Sequence, residues 1–208
     1  MKPITAVMQQ FFIAGGITLF FLLAGCSSMD VDTSTASYKQ AEAKYQEGLE
    51  NKNLLVKEGG QVLEAFDKDV CRIWEEGLKI NKYHRPMRRS LAKLYLVLGE
   101  KFTLRGEKKL EAAQKKSGKG PASHPDFEKG QQYLKLALKH LKILRQMNEP
   151  PSPIDLYMAR AYLFMDQYEK ALAHLRAAQE RGDLDPDRQK RVQKSIQLVN
   201  RLMKMHDF

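Results

Sequence analysis

The stretch that decides the fold is MARAYLFMDQYEKALAHLRAAQ, residues 158–179. We interpret it as two consecutive helices, because its small and large apolar residues recur at the spacing of a helix face. Two helices pack closely only where one side is small, and a large residue then fills the gap beside it. The residues of this kind are Ala159 and Tyr162 in the first helix, and Ala171, Leu175 and Ala178 in the second.

Both halves of this stretch have an earlier copy in the chain, in the same order. LAKLYLVL at 91–98 aligns with MARAYLFM at 158–165, and FEKGQQYLKLAL at 127–138 aligns with YEKALAHLRAAQ at 168–179. Two matched segments in one order favour an internal repeat. An ordinary bundle of similar helices is the alternative. The matching positions of the earlier copy are Ala92, Tyr95, Gly130, Leu134 and Ala137.

The rest of the chain from Tyr38 onwards has almost no strand pattern. Helix starts are expected where a capping residue precedes a proline, at Ser152, at the Ser123-His124 pair and at Asp185. Asp155 would then be an acid in the first turn of its helix. The sequence therefore predicts an all-α domain over 38–208.

The aligned positions resemble the tetratricopeptide repeat, which has a small residue and an aromatic on its first helix and a small–large–small triplet on its second. The sequence departs from that motif at Asp155, where the repeat usually has an aromatic residue. The resemblance implies an array of helix pairs closed by a capping helix. Its parts are an eroded unit at 38–85 with Val70, Trp74 and Gly77 as its triplet, a unit at 86–150 with an insertion at about 99–124, a unit at 152–185, and the capping helix at 186–205.

The N-terminal end has the composition of an export signal. Residues 1–25 contain Lys2, an apolar stretch at 11–23 and a small-residue exit. The sequence Leu23-Ala24-Gly25-Cys26 resembles a bacterial lipobox, and an ordinary buried cysteine is the alternative. The resemblance implies cleavage before Cys26, a diacylglycerol on its thiol and an acyl chain such as palmitate on the new amine. This covalent lipid is the only cofactor expected.

The lipid would anchor the chain in a membrane, with 26–37 as a flexible tether between Cys26 and the folded domain. By analogy with bacterial sorting rules, Ser27 after the cysteine favours the outer membrane and its periplasmic face. The periplasmic face of the inner membrane is the alternative.

Positive charge is concentrated in one region. The chain has a formal net charge of +10, and thirteen Lys and Arg stand against three acids between Lys79 and Gly120. The insertion could rest on an anionic envelope polymer or lipid surface, and a solvated helix and loop is the alternative. Its candidate residues are Lys101, Arg105, Lys108, Lys109, Lys115, Lys116 and Lys119.

The tetratricopeptide resemblance also implies a concave groove lined by the first helix of each unit. Basic residues in that groove would hold an acidic segment or chain terminus of a protein partner. Solvated positions on a helix are the alternative. The residues that the alignment places in the groove are Arg89, Lys93, Leu156, Arg160 and Phe164.

No motif of a catalytic, metal-binding or nucleotide-binding site is present in the sequence. The histidines are scattered without ligand spacing, and Cys71 is expected in the core. We therefore expect no enzyme and no metal, and an exported protein would rarely meet nucleic acid. Lipoproteins with such repeats commonly act as scaffolds or pilots for outer-membrane machines. The sequence favours a protein-binding adaptor, with a tether to an anionic surface as the alternative.

Overall fold

The structure is a computed structural model that describes residues 33–57, 63–117 and 123–206. These residues form helices, without a strand among them, which confirms the all-α prediction. None of the described helices is long and apolar enough to cross a membrane. The predicted signal at 1–25 and the lipidation site Cys26 lie outside the described residues, as does Lys119.

The described helices are numbered in chain order. A five-residue π-helical segment precedes α3 without a break. The described helices are α1 (Ala36–Lys57), α2 (Leu63–Phe66), the π-helical segment (Asp67–Cys71), α3 (Arg72–Ile80), α4 (Arg85–Ser117), α5 (Pro125–Gln146), α6 (Pro151–Leu163), α7 (Tyr168–Glu180) and α8 (Pro186–His206).

Three antiparallel helix pairs make up most of the fold. In the pair α4–α5, Arg105 contacts Asp126 near one end and Arg88 contacts His140 near the other. Residue numbers that rise on one helix thus fall on its neighbour. Helix α1 runs antiparallel to the π-helical segment and α3, since Asn51 contacts Asp69 and Tyr45 contacts Trp74. Helix α6 runs antiparallel to α7, since Tyr162 contacts His174 and Asp155 contacts Arg181.

Helices α4 and α5 approach each other closely, and this approach depends on glycine. A Cβ atom on Gly130 would lie 2.5 Å from the backbone nitrogen of Thr103 and 2.8 Å from the carbonyl oxygen of Gly99. A Cβ atom on Gly99 would in turn lie 2.7 Å from the side chain of Leu134. Only glycine leaves room for these contacts. Gly99 and Gly130 therefore fix the distance between α4 and α5 and the register in which the two helices pack.

One hydrophobic core runs through all three pairs, from Ala41 in α1 to Leu202 in α8. The residues that the repeat alignment selected for close packing all belong to it or are buried beside it. Cys71 is also buried, as predicted, and burial raises the pKa of its thiol. The buried positions of the alignment are Val70, Trp74, Gly77, Ala92, Tyr95, Gly130, Leu134, Ala137, Ala159, Tyr162, Ala171, Leu175 and Ala178.

Two of the predicted helix starts are confirmed by their capping bonds. The backbone N–H of Arg188 donates to Asp185 Oδ1 at 2.8 Å at the start of α8. The backbone N–H of Asp126 donates to His124 Nδ1 at 3.1 Å at the start of α5. Each bond satisfies an N–H that the first helical turn leaves without a partner.

The prediction of Ser152 as an N-cap is wrong. Helix α6 begins one residue earlier, at Pro151, and Pro150 precedes it without a side-chain capping bond. Ser152 is buried in the first turn, and its hydroxyl donates to Asp183 across the helix pair. The third predicted start therefore uses proline geometry in place of a side-chain cap.

Asp155 is a buried connection between helices, 1% exposed. Its carboxylate pairs with Arg145 at the end of α5, with Arg181 after α7, and with His174 Nδ1 at 2.7 Å. Burial raises the pKa of Asp155, but the bonds from Arg181 and His174 and the charges of both arginines outweigh it and lower that pKa. An aromatic residue at position 155 could not accept these bonds, which explains why the sequence has an aspartate there and not the aromatic residue usual in the repeat.

We predict that Gly130→Ala lowers the free energy of unfolding by about 2 kcal/mol, since overpacking against backbone atoms costs about 1–3 kcal/mol. This loss would exceed the gain of about 1 kcal/mol that alanine normally brings to a helix interior. Urea denaturation measures it, with the exposed Gln132→Ala on the same helix as the control. A Gly130→Ala variant as stable as the control would contradict the close approach of α4 and α5.

Candidate partner-binding cleft

A cleft of about 330 Å³ lies where α6, α7 and α8 meet. One side is formed by a face of α6 and the other by the first two turns and a half of α8, with Leu175 of α7 between them. The apolar residues that line it are Pro153, Leu156, Ala159, Leu163, Leu175 and Val192, and the cations are Arg160, Arg188 and Arg191. Apolar walls with a few charged groups are typical of a ligand-binding site.

Helix periodicity explains why these side chains converge. On α6, Pro153, Leu156 and Arg160 follow one another at three- and four-residue steps and therefore share a face. Arg188, Arg191 and Ser195 do the same on α8. The neighbouring residue Val192 is buried and carries the apolar wall from the cleft into the core.

Tyr157 forms a wall of the cleft and is surrounded by cations. The ammonium nitrogen of Lys93, on α4, lies 5.7 Å from the centre of its ring. Burial raises the pKa of the Tyr157 hydroxyl, while the positive charges of Arg160, Arg188 and Arg89 lower it. The positive charges that act on this phenol therefore come from α4, α6 and α8.

Ion pairs hold the arginines of this cluster in place. Arg160 pairs with Glu100 of α4, whose residue is only 7% exposed. Burial raises the pKa of Glu100 although Arg160 opposes the shift. Arg89 donates to both oxygens of Glu149 at 2.8 Å, and Arg188 lies 3.0 Å from Asp185.

Most of the residues predicted to line a groove come together here, but one does not. Leu156 and Arg160 line the cleft, and Lys93 lies next to it beside Tyr157. Arg89 is one helical turn before Lys93 on α4. Phe164 is 9% exposed and belongs to the hydrophobic core. The α-helix ends at Leu163, and the Phe164 carbonyl accepts a hydrogen bond from Gln131 of α5 at 2.9 Å. Phe164 therefore packs inwards and does not line the cleft.

The predicted basic patch on the insertion is partly neutralised. Arg105 pairs with Glu64 and Asp126, and Lys109 also pairs with Asp126. The remaining lysines of the patch with described side chains are exposed along α4, at Lys101, Lys108 and Lys115. The side chain of Lys116 is outside the described part of the chain.

Sequence reasoning missed most of the residues that line the cleft, among them its tyrosine and two of its three arginines. Arg188 and Arg191 lie on α8, which the alignment treated as a cap, and nothing in the alignment tells which face of a cap meets the preceding unit. Tyr157 lies next to Leu156, which was selected. Arg89 and Lys93 lie on α4, and Tyr157 lies on α6. Their positions in the sequence can be related only once α4 and α6 are known to lie side by side.

Comparison with known proteins gives no match: no protein-family model, curated protein or solved structure matches this chain. Among the described residues, no group of three or more His, Cys, Asp or Glu side chains could hold a metal ion. The chemistry available in the cleft is therefore that of its apolar walls, its tyrosine and its cations.

We predict that Arg160→Met destabilises the protein by about 2 kcal/mol at pH 8. Removing one partner of a buried pair costs about 3–5 kcal/mol, and the partial exposure of Arg160 reduces this figure. Without Arg160 the pKa of Glu100 rises further above its unfolded value, so the loss is largest at high pH. It shrinks as the pH falls and Glu100 becomes protonated.

Denaturation of Arg160→Met at pH 5 and pH 8 measures this dependence. The double variant Glu100→Gln/Arg160→Met should recover much of the lost stability at pH 8, because no buried charge is left without a partner. Arg176→Met, at an exposed position of α7, is the control. A loss that is the same at both pH values would contradict the role assigned to Glu100.

Proposed function

We propose that this protein is a lipid-anchored adaptor that holds a segment of a protein partner for an envelope assembly or secretion machine. The observation that carries the proposal is the cleft between α6, α7 and α8, with its apolar walls and cationic rim. We further propose that the helix pairs are an array of the tetratricopeptide type with α8 as its cap.

The packing of the helix pairs supports the array. The small–large–small positions of the alignment are buried in each of the three pairs. The first helices α4 and α6 are neighbours, since Lys93 lies over Tyr157 and Glu100 pairs with Arg160. The last helix, α8, packs against α7 and shares the cleft with α6, as a capping helix would. A row of first helices along one face is the arrangement that the repeat resemblance implies.

The chemistry of the cleft supports a protein partner with apolar and acidic residues. Apolar side chains of the partner would fill the space beside Leu156 and Leu175, and its carboxylates would meet Arg160, Arg188 and Arg191. In this proposal the cleft residues bind the partner and carry out no catalytic step.

The N-terminal sequence supports the location. Lys2, the apolar stretch at 11–23 and the lipobox-like Leu23-Ala24-Gly25-Cys26 occur in the order of an exported lipoprotein. We propose that the lipid on Cys26 anchors the protein at the outer membrane with its domain in the periplasm. The inner membrane, with the domain on the same side, is the alternative.

A second candidate function rests on the exposed lysines of α4. Lys101, Lys108 and Lys115 recur every seven residues, so they lie along one side of the helix. This row could hold the protein against an anionic lipid surface or envelope polymer, with about 1 kcal/mol per lysine near a membrane. The protein would then act as a structural tether.

We predict that Arg188→Glu/Arg191→Glu reduces recovery of a crosslinked partner from cells by about tenfold, because loss of charge-assisted bonds costs over 1.4 kcal/mol. The fold should survive, since the ion pair of Arg188 among the described residues is with the exposed Asp185. Charge reversal of Arg160 or Arg89 is unsuitable because each holds an acid of its own. Mass spectrometry of the retained material identifies the partner.

The control for this experiment is Arg176→Glu, the same change of charge on an exposed face of α7. Equal recovery of one protein by all variants would exclude the cleft as its binding site. If only lipid or cell-wall material is recovered, in equal amounts, the tether replaces the adaptor. Loss of that material in Lys101→Gln/Lys108→Gln/Lys115→Gln would then assign it to α4.

A further inference from the structure

The turn between α3 and α4 exposes two large apolar side chains beside lysines. Ile80, the last residue of α3, is 40% exposed, and Tyr83 is 51% exposed. Lys79 and Lys82 are exposed next to them, and the ammonium nitrogen of Lys82 lies 4.9 Å from the centre of the Tyr83 ring. At a membrane–water interface an aromatic ring lies at the level of the lipid headgroups, and lysines reach from an apolar surface to the phosphates. The composition of the turn therefore suits a lipid surface.

Hydrogen bonds hold this turn in one conformation. Asn81 Oδ1 accepts the backbone N–H of Tyr83 at 2.9 Å, and the guanidinium of Arg88 donates to the carbonyl oxygen of Lys82. The next residue, His84, is fully buried. Because the backbone is already fixed, binding through the exposed side chains costs little further conformational entropy.

The turn lies at the N-terminal end of α1. His84 Nε2 is 2.8 Å from Glu42 Oε2, and the rings of His84 and Tyr38 stack with their centres 4.8 Å apart. Since α1 begins at Ala36, these contacts place the turn beside the first two turns of α1. This end of the domain is therefore the end at which the chain arrives from Cys26.

The length of chain before α1 limits how far this end can lie from the membrane. Ala36 follows Cys26 by ten residues, and ten residues span at most about 36 Å when fully extended. Leu54 and Val56 form another exposed apolar pair, but they lie about 30 Å further along α1. The pair in the α3–α4 turn is thus the one at the tethered end.

We propose that this tethered end is a docking surface for the membrane that carries the lipid of Cys26, and that it binds anionic phospholipid there. The inference rests on the lipid anchor of the proposed function and adds the orientation of the domain. Burial of apolar surface and attraction of the lysines to phosphate act together, with a gain of about fivefold in the docked state per lysine. The docking surface consists of Lys39, Lys79, Ile80, Lys82 and Tyr83.

The docking surface is separate from the row of lysines on α4. Helix α4 begins at Arg85, directly after the docking surface. Lys101 and Lys115 lie about 24 and 45 Å further along its axis. A protein that docks through the tethered end and one that lies on the lysine row would present different residues to the lipid.

Quenching of tryptophan fluorescence by brominated phospholipid tests the contact in the full-length lipidated protein. The single tryptophan of the chain, Trp74, is fully buried and gives a constant background. Tyr83→Trp places a tryptophan in the docking surface, and Leu54→Trp places one at an equally exposed position at the far end of α1. The vesicles contain equal parts of phosphatidylglycerol and brominated phosphatidylcholine. The fluorescence of the new tryptophan should fall about twofold in Tyr83→Trp and stay unchanged in Leu54→Trp, since only a ring at headgroup level meets the bromines.

Charge variants in the Tyr83→Trp protein test the role of the lysines. Lys79→Gln/Lys82→Gln should lower the ratio of quenched to unquenched protein about thirtyfold, whereas Lys101→Gln/Lys108→Gln should leave it unchanged. Both pairs remove the same charge from exposed positions. Circular dichroism checks that the helices remain, as expected because the bond from Arg88 is to the backbone carbonyl of residue 82.

Several results would overturn the docking surface: no quenching in Tyr83→Trp, equal quenching in Leu54→Trp, or an equal effect of the α4 pair. A photoreactive residue at Ile80 that crosslinks in cells to one defined protein, and not to phospholipid, would also overturn it. The intact mass of the purified protein separates this inference from the anchor. A chain with lipid on Cys26 but no quenching removes the docking surface alone, whereas a chain without that lipid removes the anchor as well.

Discussion

The approach of α4 and α5 through Gly99 and Gly130 is the constraint on which the rest of the structure depends. Backbone meets backbone at this crossing, so neither helix can slide or turn without losing the contact. This fixes the face that α4 turns towards α6, with Lys93 and Glu100 on it. The position of α6, which forms one wall of the cleft, thus depends on residues outside the cleft.

Charged groups connect the helix pairs to one another and also connect helices inside a pair. Between pairs, Glu100 meets Arg160 and Asp155 meets Arg145. Inside the pair of α6 and α7, the same Asp155 meets His174. Apolar side chains of all three pairs form one core around these contacts. Arg160 of the cleft is therefore a structural residue, whereas Arg191 is exposed beside it.

Local pattern was enough to predict the helices and the positions that pack inside each pair. Gly130, Leu134 and Ala137 are buried because a helix face follows directly from spacing. The Ser152-Pro153 pattern predicts Asp155 as a first-turn acid, but α6 begins at Pro151 and has no acid in its first turn. The partners of Asp155, Arg145 and Arg181, lie outside α6 and leave no local signal. Phe164 was placed in the groove by alignment, but its helix ends one residue earlier. Sites made between helices depend on packing that spacing alone does not encode.

The central claim is that the cleft between α6 and α8 holds a segment of another protein. Photocrosslinking from single positions in cells tests this claim most directly. A photoreactive residue at Ser195 lies in the cleft, and one at Gln132 lies on the exposed side of α5. We predict that Ser195 crosslinks to one defined protein and that Gln132 does not. Crosslinks to the same protein from both positions, or to none from Ser195, would contradict the claim.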